Sequence, residues 1–152
     1  ARDIFQARRA IEATIIRNVV RRANDADLAA LRSHLTHEDE VRRENDRPKA
    51  IRASRAFHML LARIGRNTVL EKYLSELTMR TSLIIGLYGT NKASLCADDE
   101  HRHIVDSIAS RDEARAQELV DHHLRHIENE IEFGSQSPRI GPLSFILQPS
   151  EG

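Results

Sequence analysis

Ser54-Arg55-Ala56-Phe57-His58-Met59-Leu60-Leu61-Ala62-Arg63-Ile64 is followed directly by Gly65-Arg66-Asn67. The first eleven residues have the apolar recurrence of an amphipathic helix, with Phe57, Leu61 and Ile64 three or four apart. Gly65 reads as the stop of that helix and Asn67 as the N-cap of the next, so the stretch encodes helix, tight turn, helix. His58 sits among apolar neighbours. Its helical neighbours are Ser54 and Arg55 on one side and Leu61 and Ala62 on the other, and residues at these spacings share a face.

The same 3.6-residue period runs outward in both directions. Ile4, Ala7, Ile11, Ile15 and Val19 trace a first helix. Asn24-Asp25-Ala26-Asp27 interrupts it, with Asp25 as the expected N-cap of a second helix carrying Leu28, Leu31 and Leu35. From His37 to Arg47 that helix is densely charged, the pattern of a solvated face. Arg47-Pro48 marks a break, because the residue before proline avoids the α region. The third helix then runs from about residue 49 to 64. A fourth, with Leu70, Leu74, Leu77, Thr81 and Ile84, ends near Gly89, and 90–96 reads as a loop. A fifth is expected over about 97–109 and a sixth over about 112–133, joined by Ser110-Arg111-Asp112. Six helices with short connections predict an all-α, largely antiparallel bundle over residues 1–133. Nothing before residue 134 reads as a strand. The Ser-, Pro- and Gly-rich tail 134–152, with its cluster Leu143 to Leu147, reads as an arm against a neighbour or a loosely held terminus.

The composition excludes several classes. There are 152 residues, enough for one domain with a core. Lys+Arg and Asp+Glu both number 23, so the chain lacks the basic excess of a nucleic-acid- or membrane-surface-binding module. Cys96 is the single cysteine, which excludes an internal disulfide and a thiol-rich metal site and suits a cytoplasmic setting. No apolar run approaches the roughly 18 residues of a membrane span, and no signal peptide is evident. The chain opens on Ala1-Arg2-Asp3, already in helical pattern by Ile4, as expected for a piece of a longer protein.

Of 8 histidines, three lie on semi-apolar faces of three different helices. His58 is one. His101 shares a face with Ile104 and Val105, and His123 with Leu119, Val120 and Ile127. A metal centre needs that distribution, and imidazole suits Zn, Ni, Cu and Fe. The alternative is three unrelated core histidines. His34 and His37 read as solvent-facing, and His103, His122 and His126 as surface or outer groups.

Several segments taken together resemble the C-terminal ligand-sensing domain of GntR-type transcription regulators, in the FadR subgroup, often called the FCD domain. They are Phe5-Gln6-Ala7-Arg8-Arg9-Ala10-Ile11-Glu12, Ala56-Phe57-His58-Met59-Leu60-Leu61 with Gly65-Arg66-Asn67, Asp99-Glu100-His101-Arg102-His103-Ile104, and Arg111-Asp112 with Asp121-His122-His123-Leu124. The resemblance spans about residues 3–133. It implies a bundle that binds a small carboxylate effector, a partner copy in a homodimer, and a DNA-reading winged helix-turn-helix upstream of Ala1. It also implies His58, His101 and His123 as ligands of a divalent transition metal, Zn or Ni foremost. In the family's metal-binding branch an Asp stands four residues before the first histidine. Here that residue is Ser54, a weak neutral ligand, which leaves either a three-histidine site or direct binding of an anion by the histidines.

Effectors of this family are commonly organic acids held by buried arginines, since a guanidinium forks onto a carboxylate. Arg8 and Arg80, each beside an apolar stripe, are the candidates, although Arg8 with Glu12 one turn on also reads as a structural pair. Ser54, Asn67, Thr81 and Tyr88 add neutral hydrogen-bonding groups. The alternative function is a metal-dependent hydrolase on the same bundle, with Asp99 or Glu100 as base, although no HExxH motif is present. A third reading is a bundle that dimerises and senses nothing.

Overall fold

Six α-helices follow one another, with connections of two or three residues everywhere except between the fourth and the fifth. The computed structural model describes residues 1–89 and 99–131. In order these are α1 Arg2–Arg22, α2 Asp25–Arg43, α3 Arg47–Ile64, α4 Thr68–Tyr88, α5 Glu100–Ala109 and α6 Glu113–Asn129. The expected all-α bundle is observed. Among the described residues the extended pairing is limited to one isolated antiparallel bridge, Gly89 with Ile131. The expected loop 90–96, the first residues of the fifth helix and the tail 134–152 lie outside the described residues.

The helix starts are fixed by side chains that satisfy orphan backbone N–H groups. Asn24, not Asp25, is the N-cap of α2: its side chain accepts from Asp27 N, and the Asp27 carboxylate accepts from Asn24 N, closing a capping box. Asp46 caps α3 by accepting from Lys49 N, and Pro48 falls in the first turn, where its missing N–H costs nothing. The break therefore lies just before Arg47. Asn67 caps α4 and Asp112 caps α6. Two helix ends are tied by arginines from elsewhere. Arg47 donates to the Ile85, Gly86 and Gly89 carbonyls at the end of α4. Arg111 donates to the Val20 and Ala23 carbonyls at the end of α1.

Helix α1 is central, packing on α6, α4, α3 and α5, while α2 rests on α3 and α5. The core has two apolar clusters. The larger contains Ile15, Ile16, Val19, Leu31, Phe57, Leu61, Leu74, Ile104, Ile108, Val120 and Leu124. The smaller is built from Phe5, Ile51, Ile85, Ile127 and Ile131. Buried polar groups lie on the same helices as these clusters: Arg8 and Glu12 on α1, His58 on α3, Thr78, Thr81 and Ser82 on α4, and His123 on α6. Glu38 on α2 and His101 on α5 belong to the same buried set.

The charged end of α2 departs from the expected solvated face. Glu38 is buried against α5 and Val41 is buried too, because α2 leans on α5 along this length. His34 is also largely covered, with its Nε2 2.9 Å from the Ala53 carbonyl oxygen.

Candidate metal centre

The three histidines singled out from the sequence converge. His58 comes from α3, His101 from α5 and His123 from α6, all three buried. One ligand atom from each lies within 4.8 Å of the other two. The atoms are the Nε2 nitrogens: His58 Nε2 is 3.2 Å from His123 Nε2, and His101 Nε2 is 3.1 Å from His123 Nε2. Phe57 walls the site, its ring stacked on His101 with centroids 3.9 Å apart.

The outer nitrogen of every ring is held by a carboxylate. His58 Nδ1 donates to Glu12 Oε2 at 2.5 Å, His101 Nδ1 to Glu38 at 2.9 Å and His123 Nδ1 to Glu100 Oε2 at 2.6 Å. The carboxylates are secured in turn. Arg8 donates from Nε to Glu12 and from Nη1 to Thr81 Oγ1 at 2.9 Å. His34 lies 3.3 Å from Glu38, and His126 Nδ1 lies 2.9 Å from Glu100 Oε1.

Charge assigns the protons. Burial alone would push the Glu12 carboxyl up, but the His58 ring and the Arg8 guanidinium hold it at about 2. Burial likewise opposes ionisation of Glu38, and the His101 ring beside it, with His34, holds it at about 2. Glu100 is also held below its ordinary range, against its partial burial, by His123 and His126. All three are therefore carboxylates near neutral pH. Burial drives the His58 ring down to about 3 and the His123 ring down to about 4, against the pull of their acidic partners. Both rings are neutral with the proton on Nδ1, so their Nε2 atoms present bare lone pairs. His101 has the same geometry, with Nδ1 turned to Glu38 and Nε2 turned to His123. Lone pairs facing one another at this distance repel unless something positive lies among them. The donor set thus fits a metal ion, and the carboxylate on each outer nitrogen is the arrangement that orients imidazole ligands and raises their basicity.

The other candidates are placed as follows. Arg8 is buried beside the histidines and bound to Glu12, so it is both a structural partner and a cation at the site. Ser54 is half-buried on α3, one turn before His58. Arg80 is 56% exposed and paired with Glu76 of its own helix. Asn67 is exposed, and its side chain is used in capping α4. Tyr88 is exposed, whereas Thr81 is buried on Arg8. A shallow cleft between α2 and the start of α5, lined by Glu38, Asp39, Arg42, Asp99, Glu100, His101 and Arg102, opens beside the rings.

Glu12 and Glu38 were not apparent as site groups from the sequence. Glu12 had shown only as a helical partner of Arg8, and Glu38 was hidden in a charge run. The signal available for Glu12 was a carboxylate followed at three and four residues by Ile15 and Ile16, on the apolar side of the helix.

Comparison with known proteins places these features. A family model described as "FCD domain" matches residues 3–126. Among solved structures, a chain of McbR/YncC from E. coli superposes with a TM-score of 0.70 at 12% sequence identity. The match covers 84% of this chain and 61% of that one, so the chain spans less than two thirds of its structural relative. A search of curated proteins found no match.

Proposed function

The chain belongs to the FCD domain family, and on that premise we propose that it is the effector-binding domain of a bacterial GntR-type transcription regulator of the FadR subgroup. It holds a divalent transition metal, zinc or nickel, on His58, His101 and His123. It senses a small organic acid there and acts in the cytoplasm as a homodimer whose DNA-reading domain lies upstream. One observation carries the metal reading: three buried Nε2 atoms face one another while every Nδ1 is held by a carboxylate.

The residues divide the work. Glu12, Glu38 and Glu100 fix the three rings with Nε2 inward. Arg8 offsets one of these carboxylates, so the surroundings of the neutral rings stay acidic and favour a cation. Bound there, the metal supplies a Lewis-acidic centre with positions left open for an anion. Ser54 brings no carboxylate, which leaves room for the carboxylate of an effector. Differential affinity of the effector for two arrangements of the dimer is what would switch the regulator. A hydrolase has less support, because the carboxylates nearest the rings are already engaged by imidazole N–H groups and are poorly placed as general bases.

Elemental analysis and calorimetric titration test this reading. The purified protein is expected to carry zinc or nickel and to bind a member of a panel of di- and tricarboxylic acids saturably. His101→Ala should remove the metal and leave helicity intact. Ser54→Asp should tighten the metal and weaken the acid, because the new carboxylate takes the position that the acid needs. A protein without metal affinity and without saturable binding of any acid would sink the proposal.

A further inference from the structure

Helix α4 has two chemically distinct faces. Leu74, Thr78, Thr81 and Ile85 point into the bundle and are buried, and Thr81 accepts from Arg8. The opposite face carries Val69, Tyr73, Glu76, Arg80, Leu83 and Leu87, at alternating spacings of four and three. That is the spacing of a coiled-coil seam. Val69 is 61% and Tyr73 55% exposed, and Leu83 and Leu87 are only half-buried. Among the described elements α4 packs on α3 and α1 alone, so this side of it meets no other described helix. An apolar stripe along a 21-residue helix, about 31 Å long, is more than a scatter of exposed side chains.

We propose that this face is the dimer seam, and that its occupant is α4 of a second copy of this chain, running antiparallel about a two-fold axis near Thr78. The six positions are symmetric about that residue. An antiparallel pairing sets Val69 against the partner's Leu87, Tyr73 against the partner's Leu83, and Glu76 against the partner's Arg80. Glu76 and Arg80 already pair at 2.5 Å within the helix, and the seam turns that pair into a four-charge layer of alternating sign. A parallel pairing would set glutamate on glutamate and arginine on arginine, so the charges select the antiparallel form. Self-complementarity under a two-fold axis is what an isologous interface requires. The inference rests on the homodimer reading above and gives it a route: the helix that forms the seam also holds Arg8, which holds Glu12 and through it His58.

Charge reversal on the intact chain tests it, with mass in solution from sedimentation equilibrium. The unaltered chain is expected to be a dimer. Glu76→Arg and Arg80→Glu each put like charges across the seam and should weaken dimerisation about tenfold or more. An equal mixture of the two variants should recover the dimer, since one helix is then basic where the other is acidic. This recovery also guards against misfolding, because a damaged chain would not be rescued. A monomeric unaltered chain would overturn both the seam and the homodimer. A dimer whose mass neither variant changes, or a mixture that stays monomeric, would overturn the seam alone and point to another face or to the residues after Ile131.

Discussion

The bundle holds two interiors built on opposite rules. In the larger apolar cluster, Ile104, Ile108 and Leu124 are wholly buried and held by shape alone, with no atom that requires a particular partner. In the polar layer beside it, each of the three rings has one nitrogen committed to a carboxylate and the other turned toward its neighbours. Apolar packing tolerates exchange at the cost of volume, whereas the layer fails when a single acceptor is lost. The two share helices and even adjacent residues: His123 belongs to the layer and Leu124 to the apolar cluster. Stability and ligand chemistry are therefore separable along one helix, in steps of one residue.

Leu124→Ala tests that separation with the largest expected effect. Removing a fully buried leucine costs about 2–5 kcal/mol, through lost transfer energy and the cavity left behind. Urea unfolding of the metal-free protein should show this loss. Metal stoichiometry under native conditions should not change, because no ring or carboxylate has been touched. Loss of the metal at full helicity would mean that the two interiors are not independent.

Glu38→Gln probes the other interior and should act the opposite way. The amide oxygen still accepts from His101 Nδ1, so the fold keeps its hydrogen bond and the unfolding midpoint of the metal-free protein moves little. The negative charge that makes His101 a strong donor is gone, and metal affinity should fall about 10–100-fold. Competition against a chelating dye measures it. Unchanged affinity would remove Glu38 from the site and leave it a core ion-pair partner.

How far each interior was legible in the sequence follows from what fixes it. The apolar clusters depend on period, and period is written in the sequence: Ile15, Val19, Leu31, Leu35 and Leu61 sit at helical spacing and are buried. His58, His101 and His123 were readable for the same reason, as polar residues on apolar faces. The carboxylates depend on which helices meet, and period is silent on that. Glu38 lies in a run that looks solvated until α2 closes on α5. Arg80 shows the converse error of inference available from a stripe: it lies beside apolar residues, but these include the outer face of α4. The resemblance to a known family supplied the order of the three histidines, and Ser54 is where this chain leaves that pattern.

Asn67 belongs to neither interior and gives the smallest expected effect. Its side chain accepts from Leu70 N at 3.1 Å, satisfying one of the backbone donors left over at the start of α4. Asn67→Ala removes that acceptor, and loss of such a cap costs about 1 kcal/mol. Asn67→Asp keeps an acceptor oxygen and adds a negative charge at the positive end of the helix, so it should restore the stability. If the residue only caps, metal content and acid affinity are the same in both variants, and thermal unfolding alone tells them apart. If it touches the effector, the added charge of Asn67→Asp must also repel a carboxylate. Acid affinity would then fall in the variant whose fold is intact, which separates a ligand contact from a structural one at this position.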